Sequence, residues 1–178
     1  MQREAGKRPL LSIVCPAYQE EQVLPLFHVE LSAVLAQLEN DFAVEVIYVD
    51  DGSTDRSLEV IRELAARDEH VRYLSLSRNF GHQAALTAGL EESRGDIVVT
   101  LDADLQHPPA LLPEMLQKWR AGAEIVVTIR EDDVRVGFFK RLTSRWFYRA
   151  MHALSDTDVR MAAADYRLMS RKAVDALL

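Results

Sequence analysis

Two aspartates that follow an apolar run are the residues of this sequence best suited to chemistry. Asp102 and Asp104 stand one residue apart after residues 97–101, and Gln106 comes two positions later. Two carboxylates and an amide oxygen can converge on one hard cation, and Mg²⁺ or Mn²⁺ favours such ligands while keeping places open for phosphate oxygens. The alternative is that both acids are solvated loop residues or caps of the next helix. His107, next in the chain, is more typical of a turn residue.

A second acidic cluster follows an earlier apolar run. Asp50 and Asp51 precede Gly52, and Thr54 and Asp55 come soon after. A carboxylate here can accept hydrogen bonds from a base edge or from ribose hydroxyls, and the glycine permits a tight turn. The simpler interpretation is a turn in which Thr54 caps the next helix and Asp55 gains from the helix dipole. Taken alone, the cluster favours that simpler interpretation.

Two further polar segments stand where apolar runs end. Tyr18 can stack on a nucleobase, and Glu20 can accept a hydrogen bond from a ribose. In the segment 77–82, Arg78 or the backbone can meet a phosphate. Each segment also has a structural interpretation, the first as a strand exit with an acidic helix start and the second as a turn.

The elements that must position these residues alternate along the chain. Nearly continuous apolar runs, which predict strands, are separated by segments with helical spacing of their apolar residues. The predicted strands are 10–15, 44–49, 71–76, 97–101 and 124–129, and the predicted helices are 23–38, 54–67, 83–92 and 111–120. Such repeats predict an α/β fold, a largely parallel sheet with helices on both faces. Ligands in these folds bind beyond the carboxyl ends of the strands, where the polar clusters fall.

Composition and missing motifs exclude several classes of protein. A length of 178 residues fits one domain, and the formal charge of −7 argues against a nucleic-acid binder. Because Cys15 is the single cysteine, the chain can form neither an internal disulfide nor a cysteine metal site. The sequence has no dinucleotide fingerprint, P-loop or hydrolase nucleophile elbow. It also has no apolar run long enough for a membrane helix, so the chain itself is expected to be soluble.

Together, and in this order, the motifs resemble the family-2 glycosyltransferases of the GT-A fold. The branch most similar to the sequence is that of the polyprenyl-phosphate glycosyltransferases, which includes the dolichol-phosphate mannose synthases. The matching segments cover almost the whole chain and are 12–21, 49–55, 77–89, 101–109 and 164–170. The resemblance implies a single GT-A catalytic domain over residues 1–178, truncated at the C-terminus before membrane-associated helices.

The same resemblance implies a role for each matching residue. Pro16, Tyr18, Glu20 and Asp50 should line the pocket for the base and ribose. Asp102 should hold the nucleotide or the sugar, while Asp104 and Gln106 should bind the metal that bridges the diphosphate. Arg130 should lie near the phosphates. Asp165 should lie close to the reacting centre, so that the expected catalytic residues are Asp102, Asp104 and Asp165. Ala164, which stands where the family often has glycine, leaves the geometry of that segment open.

The branch also implies a reaction and an acceptor. The expected reaction is inverting transfer from a nucleoside-diphosphate sugar, with UDP favoured over GDP, to a polyprenyl phosphate such as undecaprenyl or dolichyl phosphate. Because such a phosphate is already largely ionised near neutral pH, Asp165 need only orient the reactants or help to bind metal. Lys140 and Arg141 are expected to hold the acceptor phosphate.

The aromatic and basic segment 138–149 suits an interfacial helix, although the sequence alone slightly favours an ordinary amphipathic helix. With the branch resemblance, we expect peripheral membrane contact of the full-length protein at the cytoplasmic face of the cell membrane. Two alternatives remain open, a transferase acting on a saccharide or protein hydroxyl and an inactive nucleotide-binding module. The sequence leaves open the sugar and whether the protein is a homo-oligomer.

Overall fold

The computed structural model describes residues 8–129 and 163–178. Side chains are described for all of these except residues 129 and 163–165. The described residues fall into two compact units. The first comprises residues 8–127 and 165–178, and of the second, residues 128–164, only the ends of two strands are described.

Strands and helices alternate as the apolar pattern predicts. The strands are β1 Leu10–Ala17, β2 Ala43–Asp50, β3 Val71–Ser75, β4 Ile97–Thr100, β5 Ile125–Ile129 and β6 Ala163–Ser170. The helices are α1 Leu24–Leu38, α2 Ser57–Arg67, α3 His82–Glu92, α4 Leu112–Arg120 and α5 Arg171–Leu177, with a 3₁₀ turn at Pro109–Leu111 before α4. In the described part of the chain, every helix is too short or too polar to span a bilayer.

The strands form one mixed sheet in the order β3-β2-β1-β4-β6-β5. The central strand β1 pairs in parallel with β2 and β4, and β2 pairs in parallel with β3. The predicted α/β class with a largely parallel sheet is therefore confirmed. Strand β6, which the alternation of apolar runs did not predict, pairs antiparallel with β4.

The start of α2 differs from the prediction. Thr54 does not cap this helix, which begins at Ser57 after Arg56. The Ser57 N–H instead donates to Asp55 Oδ1 at 3.0 Å. The hydroxyl of Thr54 accepts a hydrogen bond from the side-chain amide of Gln19, 3.2 Å away. The predicted cap at Thr54 was therefore wrong, since Arg56 precedes the helix and Asp55 accepts its first N–H.

Helix α3 is packed unusually close to the sheet. A Cβ atom on Gly89 would lie 2.3 Å from Val14 Cγ1, so only glycine fits between the helix and β1. Leu86 and Leu90 of α3 join Val14 and neighbouring side chains in a buried cluster. Burial of each leucine contributes about 1.5–3 kcal/mol. This packing fixes α3 so that its N-terminus lies at the carboxyl edge of the sheet.

A half-buried histidine, His28, links α1 to β2 and to the end of α2. The Nδ1 atom of His28 lies 3.2 Å from the Tyr48 hydroxyl, and its Nε2 atom lies 3.6 Å from Asp68 Oδ2. Burial lowers the pKa of His28 below its ordinary value, and the opposing charge of Asp68 only partly offsets this. The folded protein therefore holds this imidazole in its neutral form more strongly than the unfolded chain does.

We expect His28 to make stability depend on pH below neutrality. An unfolded histidine has a pKa of about 6.5, so the contribution of His28 is complete above that pH and is lost as the pH falls towards the lower folded value. Urea unfolding at intervals from pH 7.5 to pH 5 measures the effect. The wild type should lose more free energy of unfolding over this range than His28→Gln. Equal losses in the two proteins would contradict the role of His28.

Candidate functional site

A cleft of about 240 Å³ opens at the carboxyl ends of β1, β2 and β4. Its lining comes from four segments that the sequence separates widely. The lining residues are Pro16, Ala17, Tyr18, Glu20, Asp51, Asn79, Gly81, His82, Ala85, Asp102, Ala103 and Asp104. Five residues chosen from the sequence therefore meet in one place, namely Pro16, Tyr18, Glu20, Asp102 and Asp104.

The loop after β1 forms one wall of the cleft. Tyr18 is 41% exposed, which leaves much of its ring accessible. Gln19 has a φ of 57°, and its N–H donates to Ser53 Oγ at 3.0 Å. The Glu20 N–H donates to Ser57 Oγ at 2.7 Å. Two hydroxyl groups from the β2–α2 segment thus hold this loop in a strained conformation, of the kind that clusters at functional sites.

The two neighbouring aspartates at the end of β2 have different surroundings. Asp50 is 1% exposed and accepts hydrogen bonds from the Ser53 N–H and the Ser75 hydroxyl, both at 3.2 Å. It is absent from the cleft lining, so its expected role in the ribose pocket stays a prediction. Asp51 is the one that lines the cleft. Sequence analysis gave it no role, although it stands in the same acidic cluster.

The Asp51 carboxylate holds the loop that leads into α3. It is 3% exposed, and its two oxygens accept the N–H groups of Phe80 at 2.8 Å and Gly81 at 2.9 Å. Hydrogen bonds to a charged acceptor are about twice as strong as neutral ones. Gly52 allows this approach, because its φ is +66° and an added Cβ would lie 2.2 Å from the Arg78 carbonyl carbon. The β2–α2 turn and the β3–α3 loop are thereby in direct contact.

The loop after β4 carries the predicted metal motif. Asp102 and Asp104 face the cleft, while Ala103 between them lines it and is otherwise buried. Leu105 has a φ of 60°, and the Gln106 N–H donates to Asp104 Oδ1 at 2.9 Å. Gln106 itself is exposed and is not among the lining residues. The strained turn at Leu105 thus returns the Gln106 N–H to the Asp104 carboxylate.

The charges in the cleft repel one another. The pKa of Glu20 is raised, first by burial and then by the negative charges of Asp104, Asp55 and Asp102. Several carboxylates thus share one partly dehydrated space. A divalent cation bound there would relieve the repulsion, and the hard oxygen donors suit Mg²⁺ or Mn²⁺.

The remaining predicted residues lie elsewhere or outside the described part. The backbone of Asp165 belongs to β6, whose register pairs Arg167 with Thr100 of β4 and so carries Asp165 towards the end of β4 that precedes Asp102. Its side chain is outside the described residues, as are Arg130, Lys140 and Arg141.

Besides Asp51, two further polar residues of the cleft were given no individual role from the sequence. Asn79 and His82 both line the cleft, although sequence analysis singled out only Arg78 in this segment. The Arg78 guanidinium instead lies over the ring of Phe80, 4.7 Å from its centre. A signal for His82 was present, since the segment 77–89 already matched the family pattern.

Comparison with known proteins agrees with this arrangement. Residues 12–178 match the model of the family described as Glycosyl transferase family 2. The uncharacterised glycosyltransferase YkcC of Bacillus subtilis is 42% identical over 93% of this chain and 51% of its own length. The bactoprenol glucosyl transferase of Shigella phage SfV is 38% identical over 93% of this chain and 53% of its own. The chain thus spans about half the length of the curated relatives it matches.

A solved structure extends the likeness to the fold. The mannosyltransferase PcManGT of Pyrobaculum calidifontis, solved with GDP-Man and Mn²⁺, superposes with a TM-score of 0.61 at 23% identity. The match covers 97% of this chain and 47% of that protein. The expected GT-A fold is thereby confirmed.

We expect Gly52→Ala to destabilise the protein by about 2 kcal/mol or more. The left-handed backbone costs a non-glycine residue about 1–2 kcal/mol, and the new Cβ must also displace the Arg78 backbone. Gly122→Ala is the matched control, since Gly122 has a φ of +104° but nothing within 4 Å of an added Cβ. Urea unfolding of both variants measures the difference. Equal losses would show that the contact with Arg78 is unimportant.

Proposed function

The chain belongs to glycosyl transferase family 2, and from this premise we propose that it transfers a sugar from a nucleoside-diphosphate sugar to a polyprenyl phosphate at a membrane surface. The observation that carries the proposal is the acidic cleft in which Asp102 and Asp104 meet Tyr18 and Glu20. The name of the phage relative, a bactoprenol glucosyl transferase, supports the lipid acceptor. The expected stereochemical outcome is inversion.

The loop after β1 is suited to the nucleoside of the donor. The accessible ring of Tyr18 offers a face on which a base can stack, and such stacking is worth about 1–3 kcal/mol. The carboxylate of Glu20, deeper in the same loop, can accept a hydrogen bond from a ribose hydroxyl, and Pro16 packs beside them in the wall. UDP is the favoured nucleotide because the curated relatives at 42% and 38% identity are bacterial and phage proteins. GDP is the alternative, since the archaeal neighbour was solved with GDP-Man.

The loop after β4 is suited to the diphosphate through a divalent cation. Asp104 and Gln106 would hold Mg²⁺ or Mn²⁺. Among the side chains that the structure describes, which do not include that of Asp165, no three of His, Cys, Asp or Glu are grouped closely enough to hold a metal by themselves. Phosphate oxygens of the donor would therefore complete the ligand set, as is usual for Mg²⁺. The cation would neutralise charge on the departing nucleoside diphosphate.

The rest of the chemistry requires orientation more than proton transfer. Asp102, next to the cation ligands, would bond the nucleotide or the donor sugar and fix it for in-line attack. A phosphate acceptor with a second pKa of about 6 needs no general base near neutral pH. Asp165 would then orient the reactants or assist the metal. A sugar or protein hydroxyl as acceptor would require a base, and this difference separates the two classes of transferase.

The acceptor side of the proposal rests on residues outside the described part of the chain. Lys140 and Arg141 would bind the acceptor phosphate, with Arg130 closer to the donor phosphates. The surrounding segment 138–149 combines aromatic and basic residues, which suit the surface of an anionic membrane. The protein would accordingly work in peripheral contact with the membrane, at its cytoplasmic face.

We expect the cleft to bind one nucleoside diphosphate in a metal-dependent manner. Calorimetric titration with UDP and with GDP, in Mn²⁺ or in EDTA, should give binding of one nucleotide only when metal is present. Asp104→Asn removes one charged oxygen ligand and should weaken this binding about tenfold or more, equivalent to about 1.4 kcal/mol.

Asp41→Asn is the matched control for that titration. Asp41 is an exposed aspartate that pairs with Arg120 at 2.9 Å, and it precedes β2 at the sheet edge opposite the cleft. Its loss should leave nucleotide affinity unchanged. If the folded wild type bound no nucleotide under any condition, the proposed donor site would be wrong.

We expect transfer to undecaprenyl phosphate in detergent micelles to exceed transfer to a soluble oligosaccharide. The double variant Lys140→Ala/Arg141→Ala should lower transfer to the lipid about tenfold and leave nucleotide affinity unchanged. The reason is that each lost positive charge weakens only the binding of the acceptor phosphate. Lys118→Ala/Lys172→Ala removes two exposed charges of α4 and α5 and serves as the control. Preferential use of the oligosaccharide would instead favour a hydroxyl acceptor.

A further inference from the structure

His82 is the first residue of α3 and lines the cleft beside the metal motif. Its Nε2 atom lies 3.6 Å from Asp102 Oδ1, and its side chain is 39% exposed. The described lining includes four carboxylates, those of Glu20, Asp51, Asp102 and Asp104. Among those described lining side chains, His82 is the only one able to carry positive charge. The imidazole therefore differs in chemistry from the four carboxylates that share the cleft with it.

The fold fixes the position of His82 from both sides. On its N-terminal side, the N–H groups of Phe80 and Gly81 are held by the buried carboxylate of Asp51. Gly81 has a φ of 97°, which turns the chain directly into the helix. On its C-terminal side, Gly89 lets α3 pack tightly against β1. These contacts hold the backbone of His82 in place. Only a change of its own rotamer would then move the imidazole away from Asp102.

Helix stability does not explain a basic residue at this place. The N-terminus of a helix carries partial positive charge, so acidic side chains are favoured there and basic ones are not. The side chain of His82 lies beside Asp102, an acidic residue of the cleft.

We propose that His82 is a positioning residue of the transfer site, which orients the Asp102 carboxylate towards the donor sugar while Asp104 and Gln106 serve the cation. The inference rests on the function proposed above and deepens it. Asp102 and Asp104 are one residue apart and share one cleft, so both could turn to the same cation. The imidazole contact on Asp102 Oδ1 gives these two carboxylates different partners, and hence different tasks.

The test compares His82→Ala with His82→Gln in the purified protein. Both the rate constant for sugar transfer, kcat, and the dissociation constant of the nucleoside diphosphate with Mn²⁺ are measured. His82→Ala should lower kcat about ten- to one-hundredfold, as is typical when a residue that orients another is lost. The nucleotide dissociation constant should change less than about threefold, a split that general loss of structure would not produce. His82→Gln should retain more activity, because its amide nitrogen reaches about as far as Nε2.

His70→Ala is the matched control. His70 also contacts an aspartate, with Nδ1 3.0 Å from Asp68 Oδ1, but it precedes β3 at the opposite edge of the sheet. Its loss should leave kcat and nucleotide affinity unchanged. A double-mutant cycle with Asp102→Asn completes the design, since His82→Ala should lower kcat no further once Asp102 is changed.

Several results would overturn the proposal. Unchanged kcat in a folded His82→Ala variant of an active protein would remove the role of His82 and leave the proposed function intact. Additive losses in the cycle, or a nucleotide affinity that falls as much as kcat, would make His82 a direct substrate contact instead. Absence of metal-dependent nucleotide binding by the wild type would remove the donor site itself, and the role of His82 with it. If His82→Ala fails to fold, His82→Gln is compared with His82→Asn, whose shorter amide cannot reach Asp102. A kcat of His82→Gln no higher than that of His82→Asn would overturn the proposal.

Discussion

The cleft depends on one buried carboxylate. Asp51 is almost fully removed from water, and it is stabilised there because its two oxygens accept two backbone N–H groups of the loop before α3. This interaction joins the ends of β2 and β3, which the chain itself separates by a whole helix. Gly52 makes the approach possible, and the packing of Gly89 against Val14 holds the helix that follows. The wall that carries His82 is thereby fixed before any ligand binds.

The loops after β1 and β4, which form the other walls of the cleft, contain strained backbone. Gln19 and Leu105 are the non-glycine residues in the left-handed region within the described part of the chain, and each lies in a loop that borders the cleft. Such backbone costs about 1–3 kcal/mol per residue and persists only where surrounding contacts enforce it. The pKa of Glu20 in the first of these loops is raised, first by burial and then by the negative charges of its acidic neighbours. This repulsion opposes folding, and a bound cation would relieve it.

Strand β6 brings residues from the far end of the chain into the sheet. It pairs antiparallel with β4, with Arg167 opposite Thr100 at the end of that strand. Tyr166 is fully buried, with its ring edge-on to His107 and its hydroxyl 3.5 Å from the Pro109 carbonyl oxygen. The segment after the metal motif is therefore supported by residues about sixty positions away along the chain.

Apolar periodicity and local motifs are short-range properties, so they were enough to predict the family, the α/β alternation and the edge of the sheet at which polar residues gather. The sequence also identified Pro16, Tyr18, Glu20, Asp102 and Asp104 as residues of one cleft. Only the tertiary structure distinguished Asp51 from Asp50, added β6 and brought His82 to Asp102. Each of these depends on contacts between segments distant in the chain. Packing and backbone hydrogen bonds between these segments set the direction of each side chain, and a local sequence pattern does not predict them.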